Sequence, residues 1–347
     1  MRRHLLGMLS AIASIFPVLA IDPAPVPRPD TDDGLLDAIQ RASFTYFRDQ
    51  SNPANGLVRD RSRADSKCSI AAVGFGLSAW CIGVERGWAS RDEAAARVDV
   101  TLGTFLHGSQ GAASSAVMGH RGWFYHFLEM DSGRRAWKCE LSSIDTALFL
   151  AGAMDASVFF DGPGPVEQRI RASADALLQR VDWRWMCNGS DVLSMGWHPE
   201  SGFIPRHWVG YNEAMILYVL ALGTSRAPLP SSAWDGWTRG YILAERHGQR
   251  YVDFPPLFGH QYSHGWIDFR GRADRWMRRA GLDYFENSRR AVLAQRAYCM
   301  ANPLRHAGYS GDLWGITACD GPHGYAARGA PPAENDDGTL EIGRAHV

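Results

Sequence analysis

The stretch that constrains this chain most spans residues 206–218 and reads Arg-His-Trp-Val-Gly-Tyr-Asn-Glu-Ala-Met-Ile-Leu-Tyr. Residues 214–222 are almost all apolar, so a helix over them must be covered on most sides. Yet its first turn carries a carboxylate, Glu213, behind a loop of aromatics. Asn212 is a good N-cap, and a Glu just inside a helix start suits the macrodipole. On one reading Glu213 is therefore a capping-turn residue. On the other it is an acid at the mouth of a pocket, where burial raises its pKa and aromatics hold a ligand. The stretch alone leaves both open.

Helical patterns recur along the chain. Apolar spacing predicts helices over residues 34–50, 69–86, 91–106, 140–160, 165–181, 228–243 and 284–300. Ser90 with Glu93 makes a capping box for the third of these. Residues 119–131 read as an aromatic loop or short extended piece, 183–207 as a Trp- and Gly-rich loop, and 310–340 as Gly- and Pro-rich. Alternating strand patterns are scarce, and no repeat or internal linker interrupts the chain. Helices apolar all round alternate with amphipathic ones, which suits two concentric rings with the long loops lining one mouth. The expected fold is all-α, an (α/α) toroid in one domain over residues 34–340, with a plain helical bundle as the alternative.

The two ends read differently from the middle. Residues 1–20 have the form of a signal peptide: basic Arg2, Arg3 and His4, an apolar run short for a bilayer, and the small-residue end Val18-Leu19-Ala20. Export to a bacterial periplasm or beyond is expected. Residues 21–33, rich in Pro and Asp, read as a linker. Residues 341–347 back-translate into a common sequencing-adapter string, so this tail is expected to be non-native and the natural frame to continue past Leu340. A chain cut there is expected to be poorly soluble and inactive.

A net charge of −1 gives no global field to attract nucleic acid. The six cysteines are widely spaced, without C-x-x-C or zinc-like spacing. They are expected to be buried free thiols, although export would permit pairing.

Several constellations carry chemistry. Glu140 and Asp145 lie on one predicted helix, and Asp145 sits inside the apolar run Ile-Asp-Thr-Ala-Leu-Phe-Leu. A carboxylate there is costly to bury unless it is paired or working. His260 and His264 have the spacing of a metal pair on a helix, but no third ligand stands nearby. The mixture of Gln261, His264, Asp268 and Arg270 fits hydrogen bonding to sugar hydroxyls better. Asp320 precedes Gly321 and is by default a turn residue. No metal and no cofactor are expected.

The strings GFGLSAWCIGVERGW, GWFYHFLEMDSG, ELSSIDTALFLAGA, GYNEAMILYVLALG, HQYSHGWIDFRG, YFENSRRA and WGITACDGPHGY occur in this order. Together they resemble the bacterial glucoamylase-like domain family, which includes the endo-β-1,2-glucanases. The resemblance implies an (α/α)6 toroid acting on a neutral glucan, most readily β-1,2-glucan, with inversion. It also implies that Glu213 and Glu140 are essential acids, with Asp145 the next candidate. Chains of this family continue past Asp336-Asp337-Gly338-Thr339 with further helices, so a carboxylate beyond that point could complete the site.

Glycoside hydrolysis needs one carboxyl to protonate the leaving oxygen and another to activate water or attack the sugar. Glu213 is assigned as the general acid, because the apolar helix and the aromatics Trp208 and Tyr211 would raise its pKa. Glu140 is the second carboxylate. Asp60, Arg61, His126, Trp208, Tyr211, Asn212, Gln261, His264, Asp268, Arg270, Trp314 and Asp320 are the candidates for substrate contact. Two other readings remain. A polysaccharide lyase would use His207 or Tyr211 as base and Arg206 against a uronate. A non-catalytic periplasmic glucan-binding protein would need the aromatics but no placed acids.

Overall fold

The structure, a computed structural model, describes residues 31–341. Residues 1–30 and 342–347 lie outside that span, and with them the expected signal peptide, most of the linker and all but the first residue of the tail. Contacts divide the chain into two units, Met1–Gln40 and Arg41–Val347. The division falls within helix α1 (Asp32–Asp49), whose opening turns are the described part of the first unit. Asp32 and Asp33 favour a helix N-terminus, which is why α1 begins before Gly34.

The second unit is mostly helical. After α1 come α2 (Ile70–Glu85), α3 (Arg91–His107), α4 (Ser143–Phe159) and α5 (Pro165–Gln179). Then follow the short α6 (Trp183–Met186), α7 (Met215–Gly223), α8 (Ser232–Thr238), α9 (Arg275–Ala280) and α10 (Tyr284–Ala301). Side chains close the orphan amides of the first turns. Ser90 accepts from Glu93 N at 3.2 Å, Ser142 from Asp145 N at 3.2 Å, and Asp283 from Glu286 N at 2.6 Å.

The apolar helices α2, α4 and α7 are joined through α4, and α3 and α5 pack on each other beside them. Where α2 crosses α4 the backbones nearly touch. A Cβ on Gly74 would lie 2.2 Å from Leu148 O, and one on Gly152 would lie 2.0 Å from Gly74 O. Only glycine allows that approach. Around it Phe105 stacks on Phe149 at 4.1 Å, and Trp123, Trp183 and Trp237 are fully buried. All six cysteines are free thiols, four of them buried. Among the described residues no helix is long and apolar enough to cross a membrane.

The structure corrects several boundaries. Helix α4 begins at Ser143 rather than Glu140, because Leu141–Ser142 is a strand paired with Gly196–His198, which in turn pairs with Gly202–Phe203. The loop expected over residues 183–207 therefore holds α6 and these two strands. The helix expected over residues 228–243 shrinks to α8, and a hairpin, Leu243–Arg246 with Gln249–Val252, follows it. His247 and Gly248 turn that hairpin, both at positive φ.

Candidate active site

A cleft of about 1590 Å³ opens in the second unit. It is larger than an ordinary small-molecule pocket of roughly 300–1,000 Å³ and has room for several sugar rings. The starts of α2 and α4, the turn before α7, the loop at Asp60 and the segment 258–270 line it. Phe75, on α2, meets Tyr262 at 5.3 Å and Trp266 at 4.9 Å, forming an aromatic wall of half-buried rings. Such rings are suited to stacking on sugar faces.

Glu213 is in the cleft, and its surroundings explain its chemistry. Gly210, at φ +88°, donates its N–H to Trp237 O at 2.8 Å and turns the chain into the motif. Asn212 then accepts from Ala214 N at 3.1 Å and from Trp237 Nε1 at 3.3 Å. Ser263 accepts from Ile216 N at 3.1 Å, tying the first turn of α7 to the far wall. Glu213 itself lies in the turn just before the helix, not inside its first turn, and Ala214 is the N-cap residue. Its Oε2 is sealed from solvent without a hydrogen-bond partner among the described residues. Burial first, and the charge of Asp145 second, push its pKa up to about 7.

Asp145 enters the same cleft from the first turn of α4. The Ser142 hydroxyl donates to its Oδ2, and its own amide is capped by Ser142 Oγ. His126 stands beside it, with Nε2 at 3.6 Å from Asp145 Oδ2 and Nδ1 at 2.8 Å from Glu140 Oε1. The His126 amide also donates to Glu140 O at 3.0 Å, which fixes the two residues to each other through backbone as well as side chain. Burial opposes charge on this ring, but Asp145, Glu140 and Asp60 outweigh it and raise its pKa to about 9. Burial works against ionised Glu140 too, but the His126 hydrogen bond, the charge of that ring and a backbone hydrogen bond together outweigh it, holding the carboxyl below its usual value. Donor atoms of His126, Glu140 and Asp145 lie within 4.8 Å of one another, a spacing that could suit a cation. Both imidazole nitrogens already face carboxylates, so the three form an ion-pair chain as they stand.

Asp60 and Arg61 form the opposite lip. Arg61 pairs with Asp60 at 2.5 Å and reaches across 259 positions of sequence to Asp320, at 2.6 and 3.2 Å. Burial raises the Asp60 pKa despite Arg61, whereas the Arg61 bond lowers that of Asp320.

Of the expected contact residues, Asp60, Arg61, His126, Gln261, His264, Asp268, Arg270 and Asp320 line the cleft. Four others do not, and their roles are corrected. Trp208 is in the core and donates to Ser143 Oγ at 2.8 Å. Tyr211 is buried, stacked on His260 at 4.7 Å and bonded to Ser288 at 3.1 Å. Asn212 is spent on Ala214 and Trp237, and Trp314 is packed in a separate cluster with Tyr298 and Ile316. Glu140 is also absent from the lining and reaches the cleft only through His126. The pair His260 and His264 lies on two successive 3-10 turns rather than one helix, so its metal spacing is lost. Burial drives the two rings to about 3 and about 4, which keeps both neutral. The sequence reading missed Tyr46, Phe75, Phe127 and Phe258 on the lining. Their signal, an aromatic beside a charged or polar motif residue, is too common in a chain with 15 Phe and 11 Tyr.

With this fold and cleft, the chain is similar to proteins described as glucoamylases and β-1,2-glucan hydrolases. The glycoamylase family model, described as "Putative glucoamylase", matches residues 205–346. A curated relative from Parabacteroides distasonis, an exo β-1,2-glucooligosaccharide sophorohydrolase (non-reducing end), is 28% identical over 345 residues. That match covers 90% of this chain and 46% of the relative, so the chain spans about half the length of that protein. The endo-β-1,2-glucanase of Chitinophaga pinensis, solved with sophorotriose and glucose, superposes with a TM-score of 0.77 at 26% identity, over 86% of this chain and 74% of that one. A β-1,2-glucanase of Parabacteroides distasonis gives a TM-score of 0.79 at 25% identity, over 88% of this chain and 47% of that one. The resemblance to the glucoamylase-like family and its β-1,2-glucanases therefore stands.

Proposed function

We propose that this chain is a glycoside hydrolase that cleaves β-1,2-glucan with inversion, Glu213 acting as general acid and Asp145 as the base. The observation that carries the assignment is the Glu213 carboxyl, its Oε2 sealed from solvent without a partner among the described residues, sharing a cleft with Asp145. A carboxyl with a pKa of about 7 is still largely protonated in mildly acidic solution and can donate to the glycosidic oxygen as the bond breaks. Asp145 removes a proton from the water that attacks the anomeric carbon from the opposite face. The aromatic wall of Phe75, Tyr262 and Trp266 stacks on the sugars, and Asp60, Arg61, Gln261 and Asp320 take their hydroxyls. Glu140, catalytic in the sequence reading, becomes the partner of His126.

The similarity to β-1,2-glucan hydrolases supports the substrate. The same reading includes the (α/α)6 toroid, supported by the apolar α2, α4 and α7 flanked by α3 and α5. It includes export as well, supported by the pattern of residues 1–20. The test is incubation with a panel of neutral and acidic glucans, followed by chromatography of the products. β-1,2-Glucan is expected to shorten while uronate polymers persist. Unsaturated products from an acidic polymer would replace this reading with a lyase.

A further inference from the structure

Asp145 is approached by one positive group that no sugar need touch. The imidazole of His126 has Glu140 Oε1 at 2.8 Å from one nitrogen and Asp145 Oδ2 at 3.6 Å from the other. An ionised carboxylate only accepts hydrogen bonds, so Nδ1 carries a proton toward Glu140, and a second proton on Nε2 makes the ring the positive partner of Asp145 at ion-pair distance. The Phe127 ring stacks on the imidazole at 3.9 Å, fixing its plane. The main chain fixes its place, since the His126 amide donates to Glu140 O and its carbonyl accepts from Ile70 N at the start of α2. The alternative use of His126, a hydrogen bond to a sugar hydroxyl, would have to come from Nε2 and would turn that nitrogen from Asp145 toward the substrate.

We propose that Glu140 and His126 form a positioning pair for Asp145, in which an imidazolium clamped by Glu140 orients the Asp145 carboxylate and balances its negative charge. This deepens the proposed function and rests on Asp145 being the base. His126 touches neither substrate nor water in this role; it acts through Asp145. Against burial, the carboxylates around the His126 ring raise its pKa to about 9, in keeping with the geometry. The other charges around the group are Asp60, which adds to the stabilisation of the ring, Arg61 beyond Asp60, His198 near Glu140, and Glu213 across from Asp145.

The test combines a structural titration with kinetics on the full chain. In ring-nitrogen NMR of the wild type, His126 is expected to stay doubly protonated at neutral pH and to lose its proton near pH 9. In Glu140→Gln, an isosteric change, that titration moves down by at least about one unit, because one charged partner is gone. A His126 ring that is neutral at pH 7 in the wild type overturns the proposal, and this readout does not depend on any hydrolysis. In His126→Gln, kcat on β-1,2-glucan is expected to fall about tenfold or more with KM nearly unchanged, through lost orientation of the base. Glu140→Gln should lower kcat in the same way, again with KM nearly unchanged. A raised KM with kcat unmoved would make His126 a sugar-binding residue and sink the pair. Absence of wild-type hydrolysis would instead count against the proposed function, leaving the NMR result to decide the pair.

Discussion

Asp145, in the first turn of α4, and Glu213, in the turn just before α7, face one cleft, and the charge of the first adds to burial in raising the pKa of the second. Glu213 is thereby held toward its protonated form, as a general acid requires.

That relationship has a thermodynamic consequence. Glu213 rises from 4.5 to about 7 on folding, so between those values the folded chain binds one more proton than the unfolded chain. Stability from this group is therefore lost as pH rises from about 4.5 to about 7, by roughly 3 kcal/mol at most. Glu213→Gln removes the effect and leaves no partner stranded, since Oε2 has none among the described residues. Thermal melts should show the variant equal to the wild type near pH 4 and more stable above pH 7. Parallel curves at every pH would contradict a raised Glu213.

The Arg61–Asp320 bridge should matter for binding rather than folding. Its side chains are 39% and 51% exposed, and pairs of that kind contribute about 0–1 kcal/mol. Arg61→Ala is expected to leave the melting temperature within a few degrees. It should weaken oligosaccharide binding measured by calorimetry, because both lips of the cleft lose a fixed hydrogen-bonding group. A large loss of stability with unchanged affinity would reverse that division.

Arg135 is the opposite case. Its side chain is fully buried; Nε donates to Cys139 O at 2.7 Å, and Nη1 and Nη2 hold Glu200 at 2.7 and 3.1 Å. The guanidinium also lies 4.6 Å from the centre of the Tyr125 ring. Arg135→Ala leaves the Cys139 carbonyl unpaired next to Glu140 and should cost about 2–4 kcal/mol. Denaturant midpoints would check it, and a change under about 0.5 kcal/mol would show the cluster to be slack.

The crossing of α2 and α4 offers a steric test. Gly74→Ala puts a methyl 2.2 Å from Leu148 O, and that atom is backbone, so one helix must move. A loss of several kcal/mol is expected, typical of overpacking. The displaced α4 carries Asp145, so activity should fall with stability. A variant with a wild-type melting temperature would mean that the helices are not locked together.

The helices were legible wherever apolar periodicity and a cap coincided. Ser90 with Glu93 marked α3, and the apolar runs marked α2, α4 and α7. The hairpin at His247-Gly248 was not, because Leu243–Arg246 and Gln249–Val252 are only four residues each and lack apolar–polar alternation. Helix α9, with six residues, is too short to show a period. At the site, Glu213 and Asp145 stood out as carboxylates against apolar runs. Trp208 and Tyr211 misled, because proximity in sequence to Glu213 does not say which way a ring points; both turn into the core. The link of His126 to Glu140 and Asp145 crosses between segments that only the folded backbone brings together.

The most direct test of the account is a time course of β-1,2-glucan with wild type and Glu213→Gln at mildly acidic pH, followed by chromatography. The account predicts steady shortening by the wild type and a loss of about 10²–10⁴-fold or more in the variant, with binding retained. Turnover by Glu213→Gln near the wild-type rate would contradict it and return Glu213 to the role of a turn residue before α7.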